Sequence, residues 1–173
     1  MIVGYHVIFA AYGFWLPNDP RGSWSKFVGS LDLYYAAGAA TTTTDPRSLA
    51  RKSHDRQKRL AGKAALKHRP VQFTGVQARA IGRGFSQYLL QSDDPVWACA
   101  IMPDHVHFVI GRSHLQVEKL VIQLKAAATR QLVEEDLHPF STGADTQDRS
   151  SKCFVRGQRI VFLEPGDVRR AIK

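Results

Sequence analysis

Cysteine is scarce in this sequence of 173 residues, with Cys99 and Cys153 the two present. Two thiols cannot staple a small fold and do not make a zinc pattern. Disulfide scaffolds and zinc fingers are therefore excluded, and the pair reads as two reduced core thiols in a cytosolic protein. Long apolar runs are also lacking: no stretch approaches the ~20 residues that cross a bilayer, so no membrane partner is expected. The opening MIVGYHVIFAAYGFWLP is apolar, but it has no basic leader and contains His6, so it reads as a strand and not as a signal peptide. Acidic residues are few, 15 against 24 Lys and Arg, for a net charge of +9. No internal repeat is visible.

The basic excess is concentrated. Between Arg47 and Arg69 stand five Arg and four Lys against one acid, Asp55, which is +8 of the net +9. The rest of the chain is nearly neutral. A neutral body with one basic segment points to a polyanion partner, most often nucleic acid. The plainer reading of such a run is a solvated basic face without a ligand.

Hydrophobic content of 44% and charged content of 23% fit a folded domain. Residues 2–11 are β-branched and aromatic and read as a strand. Pro17, Asn18, Asp19, Pro20 and Gly22 mark a loop. Residues 30–45 predict a short ordered piece followed by a flexible, threonine-rich stretch. The segment 36–72 reads as a basic, mobile insertion that a ligand would order. Thr74 caps a predicted helix with Val76, Ala80, Ile81, Phe85, Tyr88 and Leu89 at helical spacing. Residues 96–102 and 105–110 predict two strands joined by Pro103-Asp104 as an antiparallel hairpin. Residues 115–135 predict an amphipathic helix with Val117, Leu120, Val121, Leu124, Ala128 and Leu132 on one face. Lys119, Lys125 and Arg130 occupy its other face. A polar loop spans 138–151, and 151–163 reads as a strand or hairpin around Gly157. The Gly82-Arg83-Gly84 run sits mid-helix and reads as a packing feature. The segment after Glu164 starts a helix. Two helices against one antiparallel sheet make an α+β fold of ferredoxin-like type.

The chemistry-bearing motif is Pro103-Asp104-His105-Val106-His107. On a strand, residues i and i+2 share a face at roughly 7 Å. His105 and His107 then present two imidazoles side by side, with Asp104 and Val106 facing the other way. Two imidazoles on a rigid strand are half of a metal site. The plainer reading is one packed and one solvated histidine. A third protein ligand has to come from elsewhere in the fold.

PDHVHFVI resembles the His-hydrophobic-His (HUH) signature of the single-tyrosine transposases, in particular their REP-associated branch. Tyr5-His6-Val7-Ile8-Phe9 resembles the family's first strand. The stretch from Tyr12 through Trp15-Leu16-Pro17 and Asp19-Pro20-Arg21-Gly22 is similar to YGTWLPGDPRG of one branch. Leu124-Lys125 and Arg130 resemble the DNA-facing helix. Val161-Phe162-Leu163 and 167–173 resemble the lead-in to the tyrosine helix. The resemblance implies one HUH transposase-like domain with helices on one face of the sheet, in the bacterial cytoplasm. It implies Mg²⁺ or Mn²⁺ held by His105 and His107, with Mn²⁺ better matched to imidazole. It implies single-stranded or hairpin DNA as partner, with Lys119, Lys125, Arg130 and Arg21 facing it, and a homodimer joined edge to edge. It implies attack by a tyrosine on a phosphodiester to give a 5′-phosphotyrosine. That tyrosine is expected directly after Lys173, with the family's third ligand one turn further on; Tyr5, Tyr12, Tyr34, Tyr35 and Tyr88 do not match its position. The alternative is a DNA-binding protein of the same fold that does not cut. A histidine-triad nucleotide hydrolase is a remote third reading, because its third histidine would fall at Val109.

Overall fold

The computed structural model describes residues 1–45, 49–141 and 152–172. The chain divides into two compact units, Met1–Tyr12 with Val71–Lys173, and Gly13–Pro70. Most of the segment 36–72 belongs to the second unit.

The first unit is built on β1 (Gly4–Ala10), β2 (Val96–Ile101), β3 (His105–Gly111) and β4 (Arg159–Leu163). They form one sheet in the order β2-β3-β1-β4, with every neighbouring pair antiparallel. Two long helices, α3 (Gly75–Ser92) and α4 (Val117–Glu134), connect β1 to β2 and β3 to β4, and a short α5 (Pro165–Ile172) follows β4.

Strand alternation sorts the sheet into two faces. Val7, Phe9, Val106, Phe108 and Ile110 are fully buried or nearly so and meet Ala80, Ile81 and Phe85 of α3 and Leu120, Leu124 and Leu132 of α4. Phe85 packs edge-on to Phe108 at 4.9 Å and to Phe9 at 6.4 Å. Thr74 caps α3 in a full capping box with Gln77, as its sequence predicts, and Asp93 closes the helix in a left-handed conformation. Gly84 is the close-approach point between the helices, since a Cβ there would stand 2.7 Å from the Ala127 carbonyl oxygen. The glycine run in α3 is therefore packing, and Arg83 beside it pairs with Glu135, with Nε donating at 2.8 Å.

The hairpin at Pro103-Asp104 forms as expected. The segment 151–163 forms less strand than expected. Its strand is Arg159–Leu163, and Phe154 makes an isolated bridge to Ala11. Most of the polar loop 138–151 lies outside the described residues. The two thiols are not both core: Cys153 is buried, while Cys99 on edge strand β2 is exposed.

The second unit holds α1 (Leu31–Ala37), capped by Ser30, and α2 (Arg56–Ala64), capped by Asp55. The basic segment, where described, is thus organised around a helix. Gly62 of α2 lies against Leu16, Leu33 and Ala37. The threonine run is tied down too. Thr41 Oγ1 donates to the Asp19 carbonyl, Thr42 Oγ1 to the Ser25 carbonyl at 2.7 Å, and residues 23 and 42 form a parallel bridge. Threonine hydroxyls that reach backbone acceptors give this stretch the order that composition alone did not suggest.

Candidate functional site

The second face of the sheet carries the histidines. His105 opens β3 and His107 follows two residues later, with ring centroids 4.8 Å apart and planes at 67°. Val106 between them is buried in the core, so the strand delivers both imidazoles to the same face, as the spacing requires.

Asp104 does not face away. Its Oδ1 lies 2.6 Å from His105 Nδ1. It stands in the connection before the ladder begins at His105, so strand alternation does not govern it. The other ring is held from the neighbouring strand. His6 pairs with Val109, two positions along β1 from the Ile8–His107 pair, and this diagonal brings its Nε2 to 2.9 Å from His107 Nδ1. The two rings stack at 5.2 Å. Neither Asp104 nor His6 was assigned a role from sequence. His6 was detectable only through strand parity combined with the register of β1 against β3, and the register is not written in the sequence.

Both candidate ligands therefore have Nδ1 engaged, His105 by a carboxylate and His107 by a second imidazole. Holding Nδ1 fixes the ring orientation and makes Nε2 the ligating atom, which is the usual arrangement around metal-bound histidine. Ligation through His107 Nε2 requires that His107 donate from Nδ1 and His6 accept at Nε2. The protonation state suits this. Burial, followed by the neighbouring His105 and His6, lowers the His107 pKa to about 4. Burial and then Arg159 hold His6 below its ordinary value. Neutral imidazole is the form that binds metal.

The residues fit a divalent ion as a two-imidazole platform. Among the described residues, no group of three His, Cys, Asp or Glu side chains is arranged to hold one ion. His6 buttresses His107 and does not converge with it on a common point. Two protein ligands leave the remaining positions to water or to substrate oxygens.

The predicted DNA-facing residues separate. Lys119 and Arg130 are exposed on α4. Arg130 borders a groove of about 640 Å³ together with Ile122, Thr129, Phe154 and Arg156. Lys125 turns inward, although its spacing set it on the outer face. Its Nζ donates to the carbonyls of Val155, Arg156 and Gly157 at 3.0–3.3 Å and to Gln158 Oε1, and it sits 5.1 Å from the Phe9 ring centroid. Burial lowers its pKa to about 8. Lys125 holds the turn that leads into β4. Arg21 is also engaged internally. It is 6% exposed, bonds both carboxylate oxygens of Asp19, and stacks 3.8 Å from the Trp15 ring centroid. Both cations stabilise local structure, because a long basic side chain beside unsatisfied carbonyls or a buried carboxylate finds its partner within the fold.

Neither a protein-family model nor a curated protein matches this sequence.

Proposed function

We propose that this chain is the HUH-type domain of a single-stranded DNA strand transferase. One observation carries the reading: His105 and His107 stand side by side on an open sheet face, each with its Nδ1 already held. Sheet order and the two connecting helices agree with a ferredoxin-like arrangement of this type. The basic balance of the chain agrees with a DNA partner.

His105 and His107 would hold Mg²⁺ or Mn²⁺ through Nε2, while Asp104 and His6 fix the two rings. A bound divalent ion supplies charge at the scissile phosphate and polarises it. The neutrality of His107 near pH 7 keeps its lone pair available. Lys119 and Arg130, exposed on α4 across the sheet from the histidines, would meet DNA backbone away from the metal site. On this reading a tyrosine attacks the scissile phosphate. Its phenolic oxygen bonds to phosphorus as the bond to the 3′ oxygen breaks, and the 3′ oxygen leaves as a hydroxyl after taking up a proton. Two protomers joined at edge strand β4 are part of the same proposal, since β4 ends the sheet and Phe162 on it is 60% exposed.

The test is metal-dependent capture of a single-stranded hairpin oligonucleotide. Mn²⁺ should tighten binding to the wild-type chain and leave the affinity of the H105A/H107A chain unchanged. Equal metal dependence in both chains would remove the two histidines from the site.

A further inference from the structure

Beside the imidazoles, the same face carries an aromatic side chain in a space made for it. Gly4 of β1 and Gly111 of β3 are register partners, and strand parity puts both on the histidine face, in line with His6 and His107. A Cβ on Gly4 would stand 2.8 Å from Trp97 Cζ3 and would also strike the Ile110 carbonyl oxygen. A Cβ on Gly111 would stand 3.0 Å from Trp97 Cζ2. The six-membered ring of Trp97 thus reaches from edge strand β2 across β3 to β1, over two glycines facing each other. Glycine inside a strand marks such close approach. The β2–β3 register shifts between Val96 and Ala98, and this irregularity is what lets Trp97 turn onto the face.

Trp97 is nevertheless 44% exposed. A tryptophan positioned by two strands yet still open to solvent presents a stacking surface. Gly111 lies four residues from His107 and six from His105 on β3, so the indole stands roughly 13 and 20 Å along the strand from the two candidate ligands. This face carries a cation as well as the Asp104 carboxylate. Arg159 of β4 sits opposite Ile8 and close enough to His6 to lower its proton affinity.

We propose that Trp97 is a base-stacking platform on the face of the site and holds a nucleobase a few nucleotides along the DNA strand from the phosphate at His105 and His107. This rests on the reading of the chain as a single-stranded DNA enzyme and adds a positioning residue to it. The occupant is a single-stranded nucleic acid segment, because a chain of linked nucleotides presents planar bases and phosphates over the length that separates the indole from the histidines. Stacking on an aromatic ring accepts any base, so Trp97 contributes affinity and register with little sequence preference.

Short single-stranded oligonucleotides at low salt provide the test, with the wild-type chain, Trp97→Leu and Trp97→Phe. Leucine keeps apolar cover over the glycine pair and removes the stacking face; phenylalanine keeps a smaller ring. Trp97→Leu should weaken binding by about ten-fold or more and Trp97→Phe by much less. Oligonucleotide binding should quench a component of tryptophan fluorescence that is missing from both variants. Mn²⁺ affinity measured without DNA should be the same in all three chains. If Trp97→Leu binds DNA as tightly as the wild type, or both variants weaken equally, the stacking role is overturned while the metal site stands. If the wild-type chain binds no single-stranded DNA, the functional reading falls and takes this inference with it.

Discussion

The two faces of one sheet obey different rules. On one, Val7, Phe9, Val106, Phe108 and Ile110 are sealed under two helices. On the other, the residues between them, His6, His105 and His107, keep partial access to solvent and bond to one another or to Asp104. Adjacent residues on a strand thus serve separate ends, so mutations one position apart should have effects of different kinds.

The largest contrast is between Phe108 and His107. Phe108 is fully buried between Phe9 and Phe85. Phe108→Ala should cost about 3–5 kcal/mol of stability in urea unfolding, as a large core truncation does. His107→Ala should cost under about 1 kcal/mol, because the ring has little core packing to lose. Comparable losses at the two positions would mean that the histidine face is structural.

His6 sharpens the comparison inside the open face. His6 holds His107 through Nε2 and lies behind the proposed ligands. His6→Ala should therefore weaken Mn²⁺ binding by about 10- to 100-fold without abolishing it, the usual cost of losing such a support. A complete loss in calorimetry would make His6 a ligand in its own right.

The open face should also impose a pH dependence on the metal-free chain. Unfolded His107 takes up a proton near 6.5, and folded His107 only near 4. Between those values the unfolded state binds more protons, so stability should fall as the pH is lowered from about 6.5 to 4 and the loss should be complete below that. His6 acts in the same direction. Denaturation curves across this window should flatten in His107→Ala.

Much of the fold was legible because it is written in local pattern. Thr74 with Gln77, the apolar stripe of α4 and the hairpin at Pro103-Asp104 are short-range signals, and each element formed near its expected bounds. The His105–His107 pair was legible for the same reason, since parity within one strand is enough to place both rings. What could not be read depends on distant partners. His6 and Trp97 join the site only through register between strands about a hundred residues apart. Lys125 is expected to face DNA because its carbonyl partners at 155–157 lie far along the chain, whereas Arg21 is assigned by resemblance and its partner Asp19, two residues away, is a local pairing that the assignment passes over. The threonine run and the segment around α2 have compositions suggesting mobility, and backbone acceptors together with the Asp55 cap give them structure.

The smallest expected effect separates the two cations on α4. Arg130→Gln should lower the slope of log affinity for single-stranded DNA against log salt by about 0.7, the loss of one phosphate contact. Lys125→Gln should leave that slope unchanged and lower stability instead, because it leaves the 155–157 carbonyls without their donor. The reverse outcome would place Lys125 in the interface.

The most direct measurement follows the histidine ring protons by NMR during addition of substoichiometric Mn²⁺ to the metal-free chain. The ring signals of His105 and His107 should broaden first and together, those of His54, His68, His114 and His138 should stay sharp, and the effect should vanish in H105A/H107A. Broadening centred on other residues, with His105 and His107 still sharp, would contradict the proposed metal platform.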